Sequence, residues 1–124
     1  MHFILLNFPG DKAEGRTFPD RDAITGIMNY TAELRKAGVL LALGGFKQSS
    51  LGARVRFDGD KPSITDGPFS EAKELIGGYW LIQVNSKAEA VEWASRGPAA
   101  ECEMIEVRQL YAPSDFPAEF RQPA

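Results

Sequence analysis

Short apolar runs alternate with amphipathic stretches along this chain. The nearly continuous apolar run at residues 3–8 predicts an interior strand covered on both faces. A helix is predicted from residue 23, with its N-cap at Asp20 or Asp22 and its C-terminal stop at Gly38. Five residues at helical spacing are expected to form the core-facing side of this helix: Ile24, Ile27, Met28, Thr31 and Leu34.

A hairpin is predicted in the middle of the chain. Val55 and Phe57 alternate with arginines, which is typical of a half-buried strand. The dipeptide Asp58-Gly59 follows at once and is a strong signal for a tight hairpin turn. Residues 63–65 then return as a short second strand.

The remaining runs complete an α+β pattern. Strands are predicted at 39–43, 79–84 and 104–110, and a second helix begins at the capping box of Ser86 and Glu89. With the hairpin set aside as an insertion, the order is the βαββαβ of a ferredoxin-like fold. Two helices cover only one face of such a sheet, so we expect the opposite face to pair with a second copy in a homodimer.

Length and composition fit one folded domain, predicted at 1–112, followed by a C-terminal tail at 113–124. The chain has 124 residues, of which 44% are hydrophobic and 25% charged. Its net charge of −3 argues against a nucleic-acid partner. The longest uncharged apolar stretch, 38–46, is about half of what a membrane helix needs. With a single cysteine, Cys102, and no signal segment, we expect a cytoplasmic protein without a membrane partner.

The densest polar cluster lies at residues 65–74. Asp66 precedes Gly67-Pro68, a pair that turns the backbone sharply. Two interpretations are open: the Asp66 carboxylate accepts backbone hydrogen bonds within the turn, or the rigid turn holds it as a catalytic base or ligand anchor. Three further candidate ligand-binding residues follow in the sequence: Lys73, Glu74 and Tyr79.

Candidate binding residues also occur on two predicted strands. Arg56 either binds an acidic ligand in bidentate fashion or points to solvent. Glu106 and Arg108 lie two residues apart on one strand face, where a structural ion pair is the favoured interpretation and ligand binding the alternative. His2 is expected to be solvated. Because no two histidines or cysteines occur at ligand spacing, no metal site and no cofactor are predicted.

The polar cluster resembles the signature of the YCII-related, or DGPF-domain, family. That signature, DGPF-x-E-x-K-E-x-x-G-G-Y, is matched by residues 66–79, and the similarity extends over about residues 1–111. The resemblance implies a dimeric α+β barrel. Where family members commonly have lysine this chain has His2, so the His–Asp pair of YCII-type relatives is not transferred to it.

Two functions follow from this resemblance. The first is a small-molecule-binding or enzymatic pocket in the cleft beside the sheet, using Asp66. The alternative is a non-catalytic regulatory module, because DGPF-type proteins are associated with extracytoplasmic-function sigma factors.

Overall fold

The computed structural model describes residues 1–10, 20–69 and 74–121, and this part of the chain has an α+β fold. Short 3-10 turns occur at Ser49–Leu51, Pro113–Asp115 and Ala118–Phe120. The strands and helices follow one another as β1 (His2–Phe8), α1 (Arg21–Lys36), β2 (Leu40–Gly45), β3 (Ala53–Asp58), β4 (Lys61–Asp66), β5 (Gly78–Gln83), α2 (Lys87–Ser95) and β6 (Met104–Gln109).

Four strands form one antiparallel sheet in the order β2-β5-β1-β6. The first strand is therefore central, between β5 and the last strand. With β3 and β4 left aside, this is the strand order expected of a ferredoxin-like βαββαβ chain. The α+β class predicted from the sequence is confirmed. No helix in the described ranges combines the length and the apolar character that a membrane span requires.

Local signals set the ends of α1 as predicted. The Asp20 carboxylate accepts a hydrogen bond from the Ala23 N–H at 2.9 Å, which satisfies one donor of the first turn. Beyond the last turn, Gly38 has a φ of 75°, a left-handed conformation that glycine adopts without strain. Both the N-cap at Asp20 and the stop at Gly38 are confirmed.

The buried face of α1 differs from the predicted one. Ile24 and Met28 were expected in the core but are 39% and 64% exposed. Tyr30 is buried in their place because its hydroxyl finds an acceptor, donating to the Trp93 carbonyl oxygen at 2.7 Å. The apolar stripe of the helix is therefore wider than the face that packs.

The second helix begins at Ser86 as predicted, with one change in its capping bonds. The Ser86 hydroxyl accepts from the Glu89 N–H at 3.1 Å. The Glu89 carboxylate accepts from the N–H of Asn85 at 2.9 Å, one residue earlier than in a regular capping box.

The core lies between the two helices and one face of the sheet. The Trp80 indole donates to the Thr31 hydroxyl at 3.0 Å and meets the Tyr30 ring edge-on at 5.0 Å. Burial raises the pKa of the Tyr30 phenol, and the nearby Cys102 thiol raises that pKa further. Both helices pack on this face, and its buried strand residues come mainly from β1 and β5. The buried cluster consists of Phe3, Leu5, Tyr30, Leu34, Trp80, Ile82, Val84, Ala90, Trp93 and Cys102.

Among the described residues, no layer covers the opposite face of the sheet. Ile4, Leu6 and Phe8 on β1 are only half-buried, whereas Phe3 and Leu5, which alternate with them along the strand, are buried. For the described part of the chain, the expectation that this strand is covered on both faces is therefore wrong, because both helices pack on the same side.

The hairpin of β3 and β4 stands apart from the main sheet. Among the described strands, these two pair only with each other, and every residue in them is exposed. Val55 and Phe57, predicted to be half-buried, are 51% and 74% exposed. The prediction is wrong because period-two alternation identifies a strand with two unlike faces but does not supply a layer to cover either face.

Candidate functional site

A cleft of about 600 Å³ lies between the end of β2, the turn that follows it and the base of the hairpin. This volume is within the range of small-molecule sites. Its apolar walls come from Phe46, Leu51, Phe69, Leu75 and Ile76, and its polar lining from Lys47, Gln48, Ser49, Arg54 and Glu74.

The floor of the cleft is a tight turn at residues 48–52. The N–H groups of Leu51 and Gly52 donate to the carbonyls of Gln48 and Ser49 at 3.1 and 2.9 Å. The Gly67 N–H then donates to the Gly52 carbonyl at 3.0 Å, which ties the end of the hairpin to this turn.

Gly67 is required by this close approach of two backbones. A β-carbon at this position would collide with the backbone carbonyl of Ser49, and main chain cannot swing aside as a flexible side chain can. The next residue begins with a cis Gly67–Pro68 peptide bond. The Asp-Gly-Pro-Phe sequence is therefore packed against the turn that lines the cleft.

Phe69 places an aromatic ring at the cleft, and Arg54 lies over it. The Phe69 N–H donates to the Ser49 hydroxyl at 3.2 Å, which fixes the backbone that carries the ring. The guanidinium carbon of Arg54 lies 3.8 Å from the ring centroid, a cation–π contact. Within the described ranges no carboxylate forms an ion pair with Arg54.

The amide of Gln48 is the second polar feature of the cleft. Its side-chain oxygen Oε1 is shielded from solvent and has no hydrogen-bond partner among the residues described. Asn7 has a similar buried Oδ1, but it does not line the cleft. A buried acceptor without a donor costs free energy, so a ligand donor at Gln48 would relieve that cost.

The structure brings two of the predicted site residues to the cleft. Glu74 lines it directly. Tyr79 lies beside it, with its ring centroid 6.2 Å from that of Phe46, a residue of the cleft wall. Lys73 falls outside the described residues.

Asp66 and Arg56 lie on the hairpin and do not line the cleft. Asp66 pairs with Ala53, so its side chain is on the hairpin face opposite that of Arg54. Its carboxylate is exposed and forms no hydrogen bond or ion pair within the described part of the chain. Arg56 shares the face of Arg54 but stands two residues nearer the hairpin tip.

Glu106 and Arg108 lie on the uncovered face of the main sheet. Arg108 Nη1 is 3.4 Å from Glu106 Oε2. The Arg108 side chain is 70% exposed and the Glu106 side chain 40% exposed. The predicted pair is thus present as a surface ion pair, a kind that contributes little to stability. Glu106 and Tyr79 flank Leu6 in adjacent strands, which separates them by about 10 Å.

Sequence reasoning missed the two residues with the most specific geometry, Arg54 and Gln48. Arg54 and Arg56 have the same place in the strand alternation, so that pattern cannot distinguish them. The useful signal was Gly67, because a glycine needed for close backbone contact marks the base of the hairpin as the packed end.

Among the described residues, metal-ligating side chains do not form a group. In the ranges that the structure describes, no three acidic, histidine or cysteine side chains come together as ligands. The polar groups at the cleft are suited to hydrogen bonding and to balancing a small anion.

Comparison with known proteins identifies relatives of this chain. The model of the YCII-related domain matches residues 1–114. An uncharacterised protein of Rhizobium meliloti is 28% identical over 87 residues, which are 67% of this chain and 70% of that protein. The solved structure of 5-chloro-2-hydroxyhydroquinone dehydrochlorinase from Burkholderia phenoliruptrix superposes with a TM-score of 0.51 at 16% identity, covering 90% of this chain and 94% of that one. The latter likeness concerns the fold.

Proposed function

This chain belongs to the YCII-related domain family, and on that premise we propose that it binds a small organic molecule in the cleft lined by Arg54 and Gln48. One observation carries the proposal: a guanidinium held on an aromatic ring lines the same apolar-walled cleft as Gln48, whose buried amide oxygen has no donor among the described residues. Few polar groups on apolar walls are the usual composition of a small-molecule site.

A structural neighbour is consistent with a ligand of this size. The dehydrochlorinase is named for a chlorinated hydroxyhydroquinone and was solved with 2,5-dihydroxybenzoquinone. A fold of this kind therefore accommodates a small molecule with a single planar six-membered ring in at least one protein. This is an analogy of fold and does not transfer the reaction.

The proposal concerns binding, and it assigns ligand contact to Arg54 and Gln48. A catalytic role for Asp66 stays a prediction, because its carboxylate lies on the far face of the hairpin from the cleft. Its backbone neighbour Gly67 nevertheless contacts the cleft floor. A substitution at Asp66 is therefore close enough to the cleft to be tested for an effect on ligand binding.

Gly45 offers a direct test of the cleft. It lines the cleft, its φ is not left-handed, and a β-carbon there would meet nothing within 4 Å. Gly45→Ala therefore adds a methyl group without a clash, and Gly45→Val and Gly45→Leu add further volume in steps from the same position. Fragments found by thermal-shift screening of the unmodified chain should bind progressively more weakly along this series, while the melting temperature is maintained.

NMR of the backbone amides should show whether the same fragments bind at the cleft. Ligand-induced shifts are expected at residues 45–52 and at Phe69. Fragments that bind Gly45→Leu as tightly as the unmodified chain, with shifts confined to other surfaces, would refute the cleft as the binding site.

A further inference from the structure

We infer that the ligand of this cleft is a planar aromatic monocarboxylate that also carries a hydroxyl or amino donor, an inference that rests on the proposed function. Its carboxylate pairs with Arg54, its donor reaches the Gln48 amide oxygen, and its ring lies against the apolar walls. Each part follows from a separate feature of the lining.

The ligand carboxylate is inferred from the contacts of the Arg54 guanidinium. Phe69 covers one face of the guanidinium, so the N–H groups at its edge are the ones left for a partner. Those edge donors match a carboxylate in bidentate geometry. In the described part of the chain the partner is not supplied by a side chain of the protein.

A single negative charge follows from the charges around the cleft. Among the described residues, two cations, Lys47 and Arg54, and one carboxylate, Glu74, line it. A monoanion balances this set, whereas a dianion would bring a second negative charge towards Glu74.

The donor and the ring follow from the remaining lining. Gln48 lines the cleft and its Oε1 has no donor among the described residues. A ligand hydroxyl or amino group supplies one once the side chain turns this buried oxygen towards the cleft. Phe46 is 55% exposed at the cleft wall, which leaves a ring surface for a planar aromatic group to contact.

Three commercial probes separate these features when titrated into the full chain by calorimetry. 4-Hydroxybenzoate has both groups, 4-hydroxybenzamide lacks the charge, and benzoate lacks the donor. We expect 4-hydroxybenzoate to bind at least about tenfold more tightly than the amide, as a charge-assisted hydrogen bond implies, and about fivefold more tightly than benzoate.

Variants assign each preference to its residue. Arg54→Gln is expected to remove the preference for acid over amide, and Gln48→Leu the preference for 4-hydroxybenzoate over benzoate. Arg56→Gln is the matched control, because it removes the same charge from the same hairpin face outside the cleft; it should keep both preferences.

The outcomes separate the ligand class from the proposed function. Equal binding of acid and amide, with both lost in Gly45→Leu, would overturn the carboxylate while leaving the cleft a binding site. An acid preference that survives Arg54→Gln would also overturn it. If none of the three probes binds, the ligand class is wrong, and the fragment screen with the Gly45 series decides the proposed function independently.

Discussion

The guanidinium of Arg54 stacks on Phe69, with 3.8 Å between the guanidinium carbon and the ring centroid. This contact joins β3 of the hairpin to the last residue of the Asp-Gly-Pro-Phe sequence. It also leaves the charged edge of Arg54 at the cleft. The phenylalanine thereby has a physical role as the platform on which the cleft's arginine rests.

A double-mutant cycle should detect this stack. We expect Phe69→Leu and Arg54→Gln to be coupled by about 0.5–1 kcal/mol in denaturant unfolding, the range for an exposed cation–π pair. The same cycle with Arg56→Gln in place of Arg54→Gln should show no coupling, since Arg56 does not contact the ring. Equal coupling in both cycles would mean that the effect belongs to the hairpin as a whole.

Gly67 should tolerate no side chain. Gly67→Ala places a methyl group against the Ser49 carbonyl, and we expect it to lower the free energy of unfolding by about 1–3 kcal/mol, as overpacking does. Gly45→Ala is the control, because its methyl group meets open space. If Gly67→Ala melts at the same temperature as Gly45→Ala, the two backbones are not in close contact in solution.

Asp66→Asn should leave the fold intact. The carboxylate is exposed and has no partner in the described ranges, so we expect a stability change within about 0.5 kcal/mol. Binding or turnover measured on the same variant then tests its predicted role in the site. A loss of function at unchanged stability would support a catalytic or anchoring carboxylate, because an amide takes up no proton at neutral pH. Unchanged function would refute the catalytic prediction.

The uncovered sheet face should mediate a homodimer. Ile4 and Leu6 are half-buried there and Met104 is 48% exposed, so a second copy would bury apolar area that none of the described elements covers. Light scattering at micromolar concentration should give about twice the chain mass of 13.6 kDa. Leu6→Glu should give the monomer.

Met28→Glu provides the control for the dimer. Met28 is 64% exposed on α1, on the other side of the sheet, so this variant should remain dimeric. A monomeric unmodified chain would rule out the homodimer. Dissociation of both variants would instead mean that the interface is not on the uncovered face.

Stability should fall at high pH through Tyr30. Its pKa is raised by burial, then by Cys102, above the ordinary value near 10 that the unfolded chain has. The folded state therefore favours the protonated phenol, and this contribution is complete below about pH 10 and is lost as pH rises above it. The melting temperature should drop more steeply between pH 9.5 and 11 for the unmodified chain than for Tyr30→Phe.

Tyr111→Phe separates this effect from general alkaline destabilisation. Tyr111 is 81% exposed, so its removal should leave the pH dependence unchanged. Tyr30→Phe also removes one of the two donors to the Trp93 carbonyl, which still accepts from the Arg96 N–H at 3.1 Å, and this loss should cost about 1 kcal/mol at neutral pH. Identical pH slopes for Tyr30→Phe and the unmodified chain would contradict the assignment.

Local signals in the sequence predict the elements of this fold well. Asp20 caps α1, Gly38 ends it and Ser86 starts α2, and each depends on residues within one turn in the chain. The packed face of α1 is not predicted by local signals. Tyr30 replaces Met28 in the core because its hydroxyl donates to the carbonyl of Trp93, a residue 63 positions away in the chain. Contacts of that range leave no local pattern.

The cleft could be predicted only in part, for the same reason. Glu74 was identified from its place in a polar cluster, and it does line the cleft. Arg54 was not identified as a cleft residue. The position of the hairpin arginines relative to the cleft depends on where β4 meets the turn at 48–52, and strand alternation does not encode that contact. The exposure of Phe57 likewise depends on a covering layer that strand alternation does not encode.

Burial of both indoles determines how this protein behaves in a fluorimeter. Trp80 and Trp93 are 3% and 9% exposed and neither lines the cleft. Emission of the native chain should therefore be blue-shifted, with energy passed to Trp80 from the Tyr30 ring at 5.0 Å. A molecule seated on Arg54 touches neither fluorophore, so unfolding will move the emission maximum while ligand titration leaves it in place.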